Sequence, residues 1–136
     1  MARKVYLDTA LYIYVLEQNK TFYNKAFNVF DSEFSAGSII CSSPLVLLEL
    51  LRHNSLKENP EKFEKAKSLY YEIPNAYIYE LDTDIATSAA SIGVKYNLSL
   101  PDSIHLATAI EADCNIFYTN DRKLSKIKEL KIVQIS

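Results

Sequence analysis

Apolar residues fall into two alternating kinds of segment along this chain. Short, nearly continuous apolar runs occupy residues 4–8, 38–41, 76–80, 115–119 and 131–135, the length and character of strands buried on both faces. Between them the apolar positions recur every three or four residues, as Phe22, Ala26, Val29 and Phe30 do, which is the helical period. That spacing predicts helices over 10–18, 22–35, 45–56, 60–71, 83–95 and 100–113, with a short basic one over 122–129. The punctuation agrees. Ser43 and Pro44 read as an N-cap and a first helical residue, and Pro60 opens the next helix. Asp82 or Thr83 caps the one after, Gly37 can close the second helix, and Pro74 with Asn75 makes a turn. Strands alternating with helices imply a parallel sheet covered on both faces. The expected fold is a three-layer α/β/α sandwich with a central parallel sheet of about five strands, and residues 1–136 suffice for one such domain.

In a parallel sheet every strand leaves at the same edge, and ligands bind there. Asp8 ends the first strand, and Asp121 lies just beyond the fourth. The helix over 100–113 feeds the fourth strand, so it must start at the carboxyl edge, with Asp102 in its first turn. Glu49 lies in the second turn of the helix that leaves the second strand. Four acids distant in sequence therefore converge on one edge. Clustered carboxylates repel one another unless some are protonated or a cation neutralises them. Oxygen donors without a His or Cys partner suit magnesium or manganese rather than zinc. The chemistry that follows is in-line attack of water on a phosphodiester. Each acid also has a local reading. Asp8 can cap the first helix, Asp102 stands at capping-box spacing from Ser99, Glu49 can pair with Arg52 or His53, and Asp121 can be a turn residue. None of these explains why all four share an edge.

Charge and composition narrow the setting. A net charge of -2 excludes a protein that binds nucleic acid over its whole surface, so any such contact needs a local patch or bound cations. Cys41 and Cys114 stand alone in apolar segments and read as buried free thiols in a reducing compartment. No leader-like segment or membrane-spanning run is visible, so a cytoplasmic location is expected.

The residues resemble those of the PIN-domain family, in particular the VapC-type toxin ribonucleases of toxin–antitoxin pairs. Tyr6, Leu7, Asp8 and Thr9 look like the family's opening strand and first acid, and Leu47, Leu48, Glu49 and Leu50 like its helix-borne Glu. The run Leu100-Pro101-Asp102-Ser103-Ile104-His105-Leu106-Ala107-Thr108-Ala109 is similar to the family's most distinctive helix. Tyr118, Thr119, Asn120 and Asp121 resemble its strand-end motif. The resemblance implies a ribonuclease that binds Mg2+ or Mn2+ through Asp8, Glu49, Asp102 and Asp121, with Thr119 as an accessory hydroxyl. It also implies a cognate antitoxin and a homodimer. Ala10 departs from the pattern, where the family usually has Ser or Asn, which removes a polar group from beside the site.

On the substrate side, Arg122 and Lys123 begin a basic stretch that continues through Lys126, Lys128 and Lys131. Its first residues are expected to contact RNA phosphates, or else the stretch is a solvated face. Arg52 follows Glu49 on its helix and can guide RNA. His105 reads as a structural histidine rather than a general base, since no second group is placed in sequence to orient it. Residues 10–35 carry Leu11, Tyr12, Val15, Phe22, Tyr23, Phe27 and Phe34, more apolar surface than one sheet face needs, and are the expected partner surface. Two enzyme-like or signalling alternatives fail on residues. An aspartyl-phosphate phosphatase wants an Asp two places after Asp8, where Ala10 stands. A receiver domain wants paired acids at the first strand's end and an acceptor Asp ending the third; here that strand ends at Glu80. A catalytically inactive PIN-fold module for protein or RNA binding is the remaining alternative.

Overall fold

The computed structural model describes residues 2–135. Five parallel strands form one sheet in the order β3-β2-β1-β4-β5. They are β1 (Lys4–Leu7), β2 (Ile39–Ser42), β3 (Ala76–Ile78), β4 (Ile116–Thr119) and β5 (Lys131–Gln134). Helices α1 (Thr9–Leu16) and α2 (Tyr23–Ser35) join the first two strands, and α3 (Pro44–Leu51) and α4 (Pro60–Tyr71) join the next pair. Helices α5 (Thr83–Tyr96) and α6 (Leu100–Glu111) carry the chain back across to β4. Parallel crossovers are right-handed. The chain steps one way through β1, β2 and β3 and then returns past β1 to β4 and β5. This puts α1 to α4 on one face and α5 and α6 on the other, and α1 packs on α2, α3 and α4 while α5 packs on α6. The expected α/β/α sandwich is what forms.

The middle strands are the most apolar because both faces are covered. Val5, Tyr6 and Leu7 of β1 are fully buried. Tyr6 and Phe117 are register partners on adjacent strands, and their rings stack at 5.3 Å and 4°. Edge strand β3 leaves Ala76 and Tyr77 exposed. On the far face, α5 and α6 pack so closely that a Cβ on Gly93 would lie 2.5 Å from Ser103 Oγ. Gly37 follows α2 with φ +75, a turn that glycine adopts without strain.

Several details differ from the sequence expectation. The third helix stops at Leu51, and a 3-10 turn over Asn54–Leu56 follows, begun by His53, whose ring accepts from Ser55 N. The basic stretch is a 3-10 turn over Arg122–Lys126 rather than a helix. Asp82, not Thr83, caps α5 by accepting from Ile85 N at 2.8 Å. Ser43 makes no capping bond, because its hydroxyl meets Tyr6 Oη at 3.0 Å. The apolar residues of 10–35 mostly serve the core. Leu11 and Tyr12 are buried against the sheet, Val15, Phe22 and Tyr23 are half-buried, and only Phe27 and Phe34 of that set are exposed. A helix laid on a sheet buries a broad stripe, so much of what looked surplus is core. Cys41 and Cys114 are buried and free. No helix among the described residues is long and apolar enough to cross a membrane.

Candidate functional site

The strand order reverses between β1 and β4, since connections leave these two neighbours for opposite sides. Such a switch point opens a crevice at the carboxyl ends of the strands. Asp8 and Thr119 stand there side by side, with Asp8 N donating to Tyr118 O at 2.9 Å. The Asp8 carboxylate is held at both oxygens. Oδ1 accepts from Thr9 N at 2.8 Å, which caps α1, and Oδ2 accepts from Thr119 Oγ1 at 2.8 Å. Thr119 Oγ1 in turn accepts from Asp121 N at 3.0 Å. Asp121 Oδ1 accepts from Lys123 N at 3.0 Å and caps the 3-10 turn. Asp102 lies in the first turn of α6, where its N donates to Ser99 Oγ at 3.3 Å. Glu49 sits on α3 and accepts at Oε1 from Thr9 Oγ1, 2.7 Å away.

The local roles of two acids, Asp8 and Asp121, are thus real, half of the Ser99 capping box forms, and the shared edge is real as well. An unbroken path runs from Asp121 through Thr119, Asp8 and Thr9 to Glu49. Asp102 reaches it through space, close enough for its charge to act on Asp8.

Among the edge aspartates the electrostatics single out Asp8. Burial pushes the Asp8 pKa up and Asp102 pushes the same way. A protonated His105 and the bonds from Thr119 and Thr9 act the other way, and the net shift is upward. No described Lys or Arg forms an ion pair with either carboxylate. Glu49 behaves differently. Burial raises its pKa, but His105 and Thr9 outweigh that and hold it below the usual range. Among the described residues no three His, Cys, Asp or Glu side chains are gathered so as to hold a metal ion by themselves. Two hard, uncompensated oxygen donors do fit a magnesium-like ion, which keeps several waters and takes one or two carboxylates plus substrate phosphate.

Of the remaining expected residues, Thr119, Arg122 and Lys123 lie at this edge. Thr119 is buried and its hydroxyl is bonded to Asp8. Arg52 is exposed at the end of α3, and Arg122 and Lys123 are exposed beside Asp121. Glu49 does not pair with Arg52 or His53; its partners are Thr9 and His105, and His53 turns to Glu17 instead. The expectation that nothing orients His105 is overturned. Tyr6 Oη lies 2.7 Å from its Nδ1 and Glu49 Oε1 lies 2.5 Å from its Nε2. Sequence reasoning also passed over Thr9, whose hydroxyl links Asp8's cap to Glu49. Its position immediately after a strand-end Asp was the available signal. Tyr6 gave none, because an apolar strand residue reads as core.

A doubly wound parallel sheet with acids at its switch point defines an α/β protein with an acidic site at the carboxyl edge. The chain belongs to the PIN-domain family, which its sequence matches over residues 5–130. Its fold is similar to that of a toxin–antitoxin complex from Klebsiella pneumoniae, at 20% identity and TM-score 0.71, covering 97% of this chain and 98% of that one. It is similar to VapBC2 from Rickettsia felis bound to a promoter DNA fragment, at 17% identity and TM-score 0.68, covering 96% and 98%. It is also similar to VapC20 of Mycobacterium tuberculosis, a sarcin-ricin-loop-cleaving toxin, at 14% identity and TM-score 0.70, covering 93% and 98%. At these identities the likeness is one of fold. No curated protein matches the chain in sequence.

Proposed function

We propose that this protein is a metal-dependent endoribonuclease that hydrolyses RNA phosphodiester bonds, the toxin of a toxin–antitoxin pair acting in the cytoplasm. The observation that carries the reading is the Asp8 and Asp102 pair: two carboxylates at the carboxyl edge of a PIN domain, neither in an ion pair with a described Lys or Arg. Asp8 and Asp102 would hold Mg2+ or Mn2+, with Glu49 and Asp121 completing the site directly or through water. When bound, the cation supplies charge stabilisation for the attacking and leaving oxygens of the phosphodiester. The chain's own residues do the positioning. Thr119 and Thr9 N fix both oxygens of Asp8, so it meets a ligand in one orientation. Thr9 also supplies a hydroxyl beside the Ala10 position, so the site keeps polar support there. Arg52, Arg122 and Lys123 are free to take RNA phosphates.

Two apolar surfaces suit two partners. A groove between α2 and α4, lined by Phe27, Phe30, Phe34, Leu69 and Ile73, would take an apolar segment of the cognate antitoxin. Exposed Leu48 of α3, Leu81 just before α5, Val94 of α5 and Leu100 of α6 lie around Ile104, and a homodimer would form there. Light scattering on Leu81→Glu plus Leu100→Glu tests this: a dimer that becomes a monomer supports it.

The function is tested by incubating the protein with total cellular RNA and Mg2+ or Mn2+. Discrete cleavage products from the wild type, lost on chelation and in Asp102→Asn, are expected. A well-folded wild type that leaves every RNA intact would contradict the nuclease and support the inactive binding module.

A further inference from the structure

A chain of hydrogen bonds runs from the sheet core to the acidic edge. Ser43 Oγ lies 3.0 Å from Tyr6 Oη, Tyr6 Oη 2.7 Å from His105 Nδ1, and His105 Nε2 2.5 Å from Glu49 Oε1. Thr9 Oγ1 donates to the same carboxylate oxygen at 2.7 Å. His105 is only 2% exposed, whereas Glu49 is half-buried. Oε1 of Glu49 thus takes both donors, and Oε2 takes no hydrogen bond from the described residues.

We propose that His105 is a positioning residue: Tyr6 donates to Nδ1, which keeps the imidazole proton on Nε2, and Nε2–H with Thr9 locks Glu49 so that Oε2 alone is left to serve the reaction. What Glu49 then does rests on the nuclease reading above; the hydrogen-bond chain does not. The direction of the chain follows from its ends. Nε2 and Oε1 lie 2.5 Å apart, so a proton stands between them, and Oε1 already accepts from Thr9, which makes Nε2 the donor. The Tyr6 phenol is fully buried, and its hydroxyl lies between Ser43 Oγ and His105 Nδ1, so the imidazole nitrogen is within reach of its O–H. An imidazole that donates through Nε2 can accept through Nδ1, and the buried phenol is the group that reaches it. The phenol cannot drift, because its ring stacks flat on Phe117. A histidine merely filling the core would end on a backbone carbonyl or a second core group. This one ends on an acid at the switch-point edge, as outer partners of ligand residues do.

The test has two readouts. Long-range proton–nitrogen NMR of the His105 ring, at about pH 8.5 where an ordinary imidazole is neutral, locates its proton in the metal-free protein. The proton should sit on Nε2 in the wild type and become mobile between the nitrogens in Tyr6→Phe. Cleavage kinetics with the RNA found above then compare His105→Leu with His105→Gln, whose amide nitrogen can occupy the Nε2 place. kcat should fall about 10-fold or more in His105→Leu with KM little changed, and recover in part in His105→Gln. Should His105→Leu not fold, Tyr6→Phe, which keeps the ring stack, reads the same loss. A proton on Nδ1, an unchanged ring in Tyr6→Phe, or full kcat in folded His105→Leu would overturn the proposal. A wild type that cleaves no RNA overturns the nuclease reading alone, and the NMR result, which needs neither RNA nor metal, still decides the hydrogen-bond chain.

Discussion

Glu33 and Asp8 are both acids that folding takes out of water, and the molecule treats them in opposite ways. Glu33, on α2, is 2% exposed. It receives the Arg3 guanidinium at 2.5 Å, the Ser38 hydroxyl at 2.7 Å and a short bond from the Tyr118 hydroxyl. Burial would raise its pKa, yet those partners pull it below the usual range. Asp8 receives a backbone N–H and a threonine hydroxyl, feels the charge of Asp102, and is shifted upward by burial. An acid that holds the fold together has its charge balanced inside the chain. An acid left unbalanced at a switch point either takes up a proton or is completed by a cation, and the proposed function takes the second course.

The sharpest way to break this contrast is Asp102→Asn. Cleavage should fall on the order of a hundredfold or more. The melting temperature in chelator should hold or rise, by up to about 1 kcal/mol of stability, because repulsion with Asp8 is relieved. A large loss of stability would make Asp102 structural. Glu33→Gln should behave the other way: stability falls by about 1–3 kcal/mol in a urea melt, while cleavage per folded molecule is unchanged.

Acid sharpens the same difference. The folded-state pKa of Glu33 lies below its ordinary value of 4.5, so its contribution is complete above that value and is lost as pH falls through the folded pKa. Wild-type stability should therefore drop below about pH 4.5 more steeply than that of Glu33→Gln, and equal slopes would refute the ion pair's role. Further from the two acids, Gly93→Ala should cost about 1–3 kcal/mol by forcing α5 from Ser103, and Ser103→Ala in the same chain should return part of it. The smallest effect is expected from Arg122→Ala plus Lys123→Ala. RNA binding should weaken several-fold, with a salt slope shallower by about 1–2, measured by fluorescence titration. An unchanged slope would return the stretch to a solvated face.

The layer order, the five strands and the edge that carries the acids were legible in the sequence, because apolar period and topology are written at every residue. Asp8, Asp102 and Asp121 could be placed at one edge by following which end of each strand the chain leaves. What was hidden depends on tertiary contact. Whether Glu49 turns to Arg52 along its helix or across to His105 is decided by how α3 lies against α6, and no spacing encodes that. His105 itself was visible three residues after Asp102, but its orienting partner, Tyr6, lies 99 residues away on a strand where a tyrosine reads as core. The apolar excess of 10–35 was overestimated for a similar reason: periodicity shows a stripe but not how much of it the sheet covers.

Manganese binding by calorimetry, wild type against Asp102→Asn with melting curves to show both are folded, tests the central claim most directly. An account in which Asp8 and Asp102 form an uncompensated cation site predicts wild-type binding that weakens at least about tenfold in the variant. Equal affinity in the two proteins, or no wild-type binding even with an oligonucleotide present, would contradict it.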